Sequence, residues 1–255
     1  MDALLEVHDV HLSFGGLQAL DGPSLTVADG EVVGLIGPNG AGKTSLFNCI
    51  NGLYRPQSGS VRVLGREVAG LPRHRIAGLG VGRTFQNLGL LASQTVLENV
   101  LAGAYHATRG GWWATVLDLP DVRRTEDRLR ARALELLTEL DLADVAGRPV
   151  GTLPFGTLKR IELARALVGE PRLLLVDEPA NGLVHSEVAE LGATLRRLAT
   201  DRGAAILLVE HHMGLVTSVC DRVAVLDFGR LIAEGDPREV ARDPQVVAAY
   251  LGTAA

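Results

Sequence analysis

One run of residues constrains the fold of this 255-residue chain more than any other: Gly37-Pro38-Asn39-Gly40-Ala41-Gly42-Lys43-Thr44, followed by Ser45. It has the form G-x-x-x-x-G-K-[ST], and its flanks decide what that form means. Glu31 to Ile36 is apolar enough for a buried strand, and Thr44 to Asn51 reads as a helix that stops at Gly52. A glycine-rich loop between a strand and a helix lets backbone N–H groups curl around phosphate oxygens without Cβ clashes. The helix N-terminus adds donors and a partial positive charge. Lys43 is then placed to reach the β- and γ-phosphates, and the Thr44 hydroxyl to bind Mg²⁺. A glycine turn opening an ordinary helix needs neither residue there, so the run implies a nucleoside triphosphate.

Composition narrows the remaining classes. The chain is 47% hydrophobic and 22% charged, as soluble globular proteins are. A formal net charge of -5 without a basic block argues against a sequence-independent grip on nucleic acid. The longest apolar run, Ala204 to Val209, falls far short of the roughly 20 residues that span a bilayer. The start, Met1 to Glu6, has neither a basic nor a long apolar region, so no signal peptide is expected. Cys49 and Cys220 read as small buried residues in a reducing compartment, which predicts a cytoplasmic protein.

Residues 4–30 alternate as short strands around turns at Gly15-Gly16 and Asp29-Gly30. Phe14, beside the glycine pair, can pack in a small sheet or stack on a purine base. Beyond the loop helix, Ser60 to Gly65 alternates with period two, as a half-exposed strand does. Strand pairs on both sides of the loop predict an antiparallel sheet flanking a parallel core. A short helix is expected over 71–79 and a strand over 81–86, ending at Gln86.

From 87 to 170 the pattern turns helical. Leu129, Ala133, Leu136, Leu137 and Leu140 form one amphipathic stripe, and a second helix is expected from about Thr157 to Val168. The adjacent Trp112 and Trp113 cannot both face one side of a helix; they either fold under a loop or meet a partner. Leu173 to Val176 then reads as a strand covered on both faces, ending at Asp177-Glu178. A helix over 187–198 leads to a second buried strand that ends at Glu210-His211-His212. A helix from about Met213, strands over 221–227 and 230–234, and one or two short helices to Leu251 complete the chain.

The phosphate loop, Asp177-Glu178 and His211 all end strands at one edge, where ligands of open parallel sheets sit. Asp177 can hold Mg²⁺ directly or through water, and Glu178 can polarise a water against the γ-phosphate. With these residues in order, the chain resembles the ATP-binding cassette (ABC) ATPases over essentially its whole length. The resemblance implies an α/β P-loop fold with a RecA-like parallel core sheet and an antiparallel β-subdomain. It also implies an α-helical subdomain over about 87–170 and a helical tail over about 237–252. Phe14 matches the adenine-stacking aromatic, residues 37–44 Walker A, and Gln86 the Q-loop glutamine that links Mg²⁺ and attacking water. Leu153 to Arg160 occupies the signature position, with Gly156 and Thr157 facing nucleotide. Asp177 matches Walker B, Glu178 the catalytic glutamate and His211 the switch histidine; His212 has no matched role and reads as a surface residue.

The same resemblance implies ATP and Mg²⁺ as cofactors and a dimer of identical or paralogous cassettes that sandwiches two ATP molecules. It implies separate integral-membrane permeases, an indirect link to a solute-binding protein, and a peripheral place on the inner face of the cell membrane. Phe14 to Leu20, Arg83 to Asn87, the Gly-Trp-Trp insertion and the ending Ala249-Tyr250-Leu251-Gly252 look like the ATPases of branched-chain (hydrophobic) amino acid importers. Importers of urea and short amides look similar. The chain departs from the family where Pro154, Phe155 and Thr157 replace signature Ser, Gly and Gln, and where Val184 replaces the usual Asp or Asn. The alternatives are a non-transport ABC protein of translation or DNA repair, and a nucleotide-responsive module that does not hydrolyse. The first usually carries two cassettes or a long coiled-coil insertion, which this chain lacks; intact Glu178, His211 and Gln86 argue against the second.

Overall fold

The computed structural model describes residues 3–85, 88–104 and 120–252, so Gln86, Trp112 and Trp113 lie outside the described residues. The chain divides into two compact units, Met1–Val81 with Arg172–Ala255, and Gly82–Pro171.

The first unit holds two sheets. In the antiparallel sheet, β1 (Ala3–Phe14) pairs with β2 (Leu17–Asp21) and β3 (Leu25–Ala28). Residues 4–30 were expected to form several short strands, but Ala3–Phe14 is one strand of 12 residues. The reason is a bulge: Asp9 takes a φ of +48°, its N–H donates to Ser24 Oγ at 2.9 Å, and the pairing register shifts between His8 and His11. The strand bends there and continues.

The second sheet starts with β4 (Val32–Ile36), which runs into the phosphate loop and α1 (Lys43–Ile50). The chain then returns to the first sheet through β5 (Ser58–Val63), which pairs with β1, and β6 (Arg66–Glu67). It continues through α2 (Arg73–Ala77) to β7 (Val81–Arg83), a strand three residues shorter than the sequence suggests. Later come β8 (Leu173–Asp177), β9 (Ala205–Val209), β10 (Arg222–Asp227) and β11 (Arg230–Gly235), in the spatial order β11-β10-β4-β9-β8-β7. β10, β4, β9 and β8 are parallel neighbours, whereas β11 returns antiparallel on β10.

Every residue of β4, β8 and β9 is buried, which is why they read as unbroken apolar runs. Each fully buried Leu, Ile or Val side chain contributes about 1.5–3 kcal/mol, so these strands hold their carboxyl ends firmly. Asp177 pairs with Val209, and Val209 with Leu35. This register brings the end of β8, the end of β9 and the start of the phosphate loop to one edge.

The second unit is helical. α3 (Val96–Ala102) opens with a reciprocal capping box between Thr95 and Glu98. α4 (Pro120–Glu139) contributes the expected stripe: Ala133, Leu136 and Leu137 are buried, as is Leu140 just beyond it, and Leu129 is half-buried. α5 (Phe155–Leu167) begins two residues earlier than expected, with Pro154 in the cap position at φ -60° and ψ 155°. Thr157 therefore lies inside the first turn and is not the capping residue. In the first unit, α6 (His185–Arg202), α7 (Met213–Val219), α8 (Pro237–Val240) and α9 (Pro244–Gly252) complete the chain.

Candidate active site

The phosphate loop owes its shape to glycine at two places. Gly37 has φ +144°, and a Cβ there would stand 2.1 Å from the Leu226 carbonyl oxygen. Gly42 has φ +104°, and its Cβ would meet the Ala19 carbonyl oxygen at 2.6 Å. No L side chain satisfies either geometry. Further bonds fix the loop from below: Ala41 N–H donates to Pro38 O at 3.2 Å, and Gly229 N–H to Ala41 O at 2.9 Å. Asn39 and Gly40 stay exposed at its crest.

Lys43 opens α1 with its side chain turned back into the loop, where Nζ donates to Gly37 O at 2.7 Å and Pro38 O at 2.8 Å. Burial pushes its ammonium below the ordinary lysine value, while the carboxylates of Glu178 and Asp177 act in the opposite sense. That coupling joins the loop to the end of β8. Thr44 is exposed and Ser45 half-buried beside the loop crest. A threonine hydroxyl and a buried Asp177 carboxylate are both oxygen donors, the set that suits a hard divalent cation such as Mg²⁺.

Asp177 ends β8, and Glu178 follows it in the left-handed region at φ +44°. A non-glycine residue there persists only where its surroundings hold it. Here the Glu178 N–H donates to Val209 O at 2.9 Å, and the Asn181 N–H to Glu178 O at 3.2 Å. His211 stands just past β9 with its side chain 60% exposed, open to a ligand at the sheet edge. His212 is half-buried rather than a surface residue: its Nδ1 accepts from Leu215 N–H at 3.2 Å and caps α7. Phe14 ends β1, is 45% exposed, and meets Tyr54 in a T-shaped pair with centroids 5.0 Å apart and ring planes at 70°. That leaves ring surface able to stack.

Gly156 and Thr157 lie in the first turn of α5 in the second unit. The first N–H groups of any helix lack intrahelical acceptors, so this turn offers backbone donors whatever its side chains. Lys159, itself buried, sits over the Phe155 ring at 5.6 Å. Phe85 N–H donates to the buried Glu162, and Arg165 donates to Leu88 O at 2.6 Å and Gly89 O at 2.7 Å. Two side chains of α5 thus hold the backbone on either side of position 86.

Two residues at the edge were not legible in the sequence as site residues. Glu210 ends an apolar run, as many solvent-facing residues do, yet its side chain is wholly buried. Tyr250 belongs to α9, and its hydroxyl accepts from Gly37 N–H at 2.9 Å, 213 positions away.

Comparison with known proteins places this geometry in a family. A family profile described as ABC transporter matches residues 20–181, and one described as branched-chain amino acid ATP-binding cassette transporter matches residues 230–255. The chain is 41% identical, over 98% of both chains, to the high-affinity branched-chain amino acid transport ATP-binding protein BraF of Pseudomonas aeruginosa. It is 40% identical, again over 98% of both, to the corresponding protein LivG of Salmonella typhimurium. Among solved structures it superposes with a TM-score of 0.86 on an ATP-binding cassette of an ABC transporter in its ADP conformation, at 29% identity, covering 99% of this chain and 100% of that one. A nucleotide-free cassette gives a TM-score of 0.84 at 29% identity, covering 96% and 98%. With the phosphate loop, Asp177, Glu178 and His211 on one sheet edge, the chain belongs to the ATP-binding cassettes of the ABC transporter family.

Proposed function

We propose that this chain is the ATP-hydrolysing subunit of an importer of branched-chain amino acids. The observation that carries the ATPase reading is the convergence of Lys43 with Asp177 and Glu178 at the carboxyl edge of the parallel sheet. In this reading the loop N–H groups and the α1 N-terminus bind the phosphates, and Lys43 leaves the carbonyls of Gly37 and Pro38 for the β- and γ-oxygens. Thr44 and Asp177 would hold Mg²⁺, which supplies charge neutralisation on the phosphates when bound. Glu178 accepts a proton from the attacking water, and His211 steadies the γ-phosphate. Phe14 stacks on the adenine. Gln86 is assigned its part, contact with the water and Mg²⁺, on its position in the sequence alone.

Two chains, identical or paralogous, close on two ATP molecules, each completed by the α5 first turn of the other through Gly156 and Thr157. No described helix is long and apolar enough to cross a membrane. The family and the transport ATP-binding relatives support membrane permease partners that carry the solute. The substrate class rests on the branched-chain relatives and on the profile matching residues 230–255.

The test is ATP-driven leucine uptake into vesicles holding the assembled transporter. Uptake is expected with this chain and not with Lys43→Ala, whose ATP affinity should fall at least about a hundredfold. Urea uptake without leucine uptake would move the substrate class, and normal ATP affinity in Lys43→Ala would overturn the phosphate-loop reading.

A further inference from the structure

Glu210 is a glutamate with no exposed side-chain surface, one position past a strand whose residues are all apolar. Burying a carboxylate is strongly unfavourable unless its lone pairs are taken up by donors. Here three backbone donors meet it. Oε1 accepts from Ala180 N–H at 2.8 Å, and Oε2 from His211 N–H at 2.8 Å and His212 N–H at 2.9 Å. The two oxygens therefore serve different segments. One takes the loop that carries Glu178, and the other takes the loop that carries His211.

We propose that Glu210 is a positioning residue that locks these two loops to one another, so that Glu178 and His211 approach the γ-phosphate as one unit. The inference rests on the ATPase reading of Glu178 and His211. Glu178 sits in a left-handed conformation held by Val209 O, and Pro179 brings no N–H to the stretch between Glu178 and Ala180. His211 Nδ1 lies 3.9 Å from Glu210 Oε2, too far for a hydrogen bond, so Glu210 holds His211 by its backbone N–H and not by its ring. His212 extends the frame, because its own ring starts α7. A glutamine of the same shape cannot replace the carboxylate. Its carbonyl oxygen can face one loop, but its NH₂ then points at the N–H donors of the other.

The test is steady-state ATP hydrolysis by the full-length chain in the assembled transporter, with thermal unfolding followed in parallel. Glu210→Gln should lower kcat at least about tenfold while KM for ATP stays within about threefold, because the phosphate loop is untouched. In a Glu178→Gln background the same change should lower residual phosphate release by clearly less than about tenfold, since the part of its effect that passes through Glu178 is already lost and only the part through His211 remains. Loss of kcat together with ATP affinity and melting temperature would make Glu210 a structural residue and overturn the inference. If Glu178→Gln alone abolishes turnover but Glu210→Gln stays within about threefold of the unaltered protein, the ATPase reading stands and this inference fails. Should Glu210→Gln not fold, amide exchange in the unaltered chain decides. Slow, concerted exchange at Ala180, His211 and His212 supports the lock, and fast independent exchange at Ala180 overturns it.

Discussion

At the scale of single residues, environment overrides residue type. Cys49 and Cys220 are both buried, and desolvation pushes both thiols up to about 12. At pH 8 only about one thiol in ten thousand is then ionised, so neither should react with an alkylating reagent in the native protein. Both should react once the chain is unfolded; stoichiometric native labelling would contradict their burial. Asp177, Glu178 and His211 could be picked out in the sequence because each lies at the end of an apolar strand or within two positions past it, and Lys43 because it closes the glycine loop that follows one. Glu210 obeyed the same rule and was misleading, since its partner Ala180 is 30 positions away and nothing local marks the bond. Tyr250 is further still from Gly37, and only the folded chain brings them together. His212, expected at the surface, turned inward because α7 needed a cap and its Nδ1 could accept.

At the scale of elements, the parallel strands were the easiest part to read and the boundaries the hardest. β4, β8 and β9 are buried on both faces, a pattern that alternation cannot counterfeit. β1 was read as separate pieces because a bulge at Asp9 interrupts the alternation without ending the pairing. α5 was read as starting at Thr157, since Pro154 and Phe155 carry no capping side chain, although proline's fixed φ suits the entry to a helix. The packing of α3 against α5 was not legible at all. It depends on Gly103, where a Cβ would stand 1.9 Å from the Arg165 carbonyl oxygen. The φ there is -65°, so alanine suits the backbone and only the contact is lost. Gly103→Ala should therefore destabilise the helical unit by about 1–3 kcal/mol through overpacking. Urea unfolding monitored within residues 82–171 checks this, and an unchanged midpoint would show that the helices can part without cost.

At the scale of the whole molecule, one chain supplies the phosphate loop, Asp177, Glu178 and His211 from its first unit and the α5 first turn from its second. Two copies related by a closed symmetry can complete two sites, which is the assembly proposed for the family position of this chain. The altered signature is expected to allow that proposed assembly, because the donors of a helix first turn belong to the backbone. What the account claims centrally is that Glu178 performs the chemistry on ATP held by the Lys43 loop. Glu178→Gln keeps the side chain's shape and its hydrogen-bonding reach but cannot accept a proton. The measurement is phosphate release together with gel filtration of that variant in ATP and Mg²⁺. The expected result is a stable dimer that retains ATP, with release reduced at least about a hundredfold. Turnover at the rate of the unaltered protein would assign the base to another group and contradict the account.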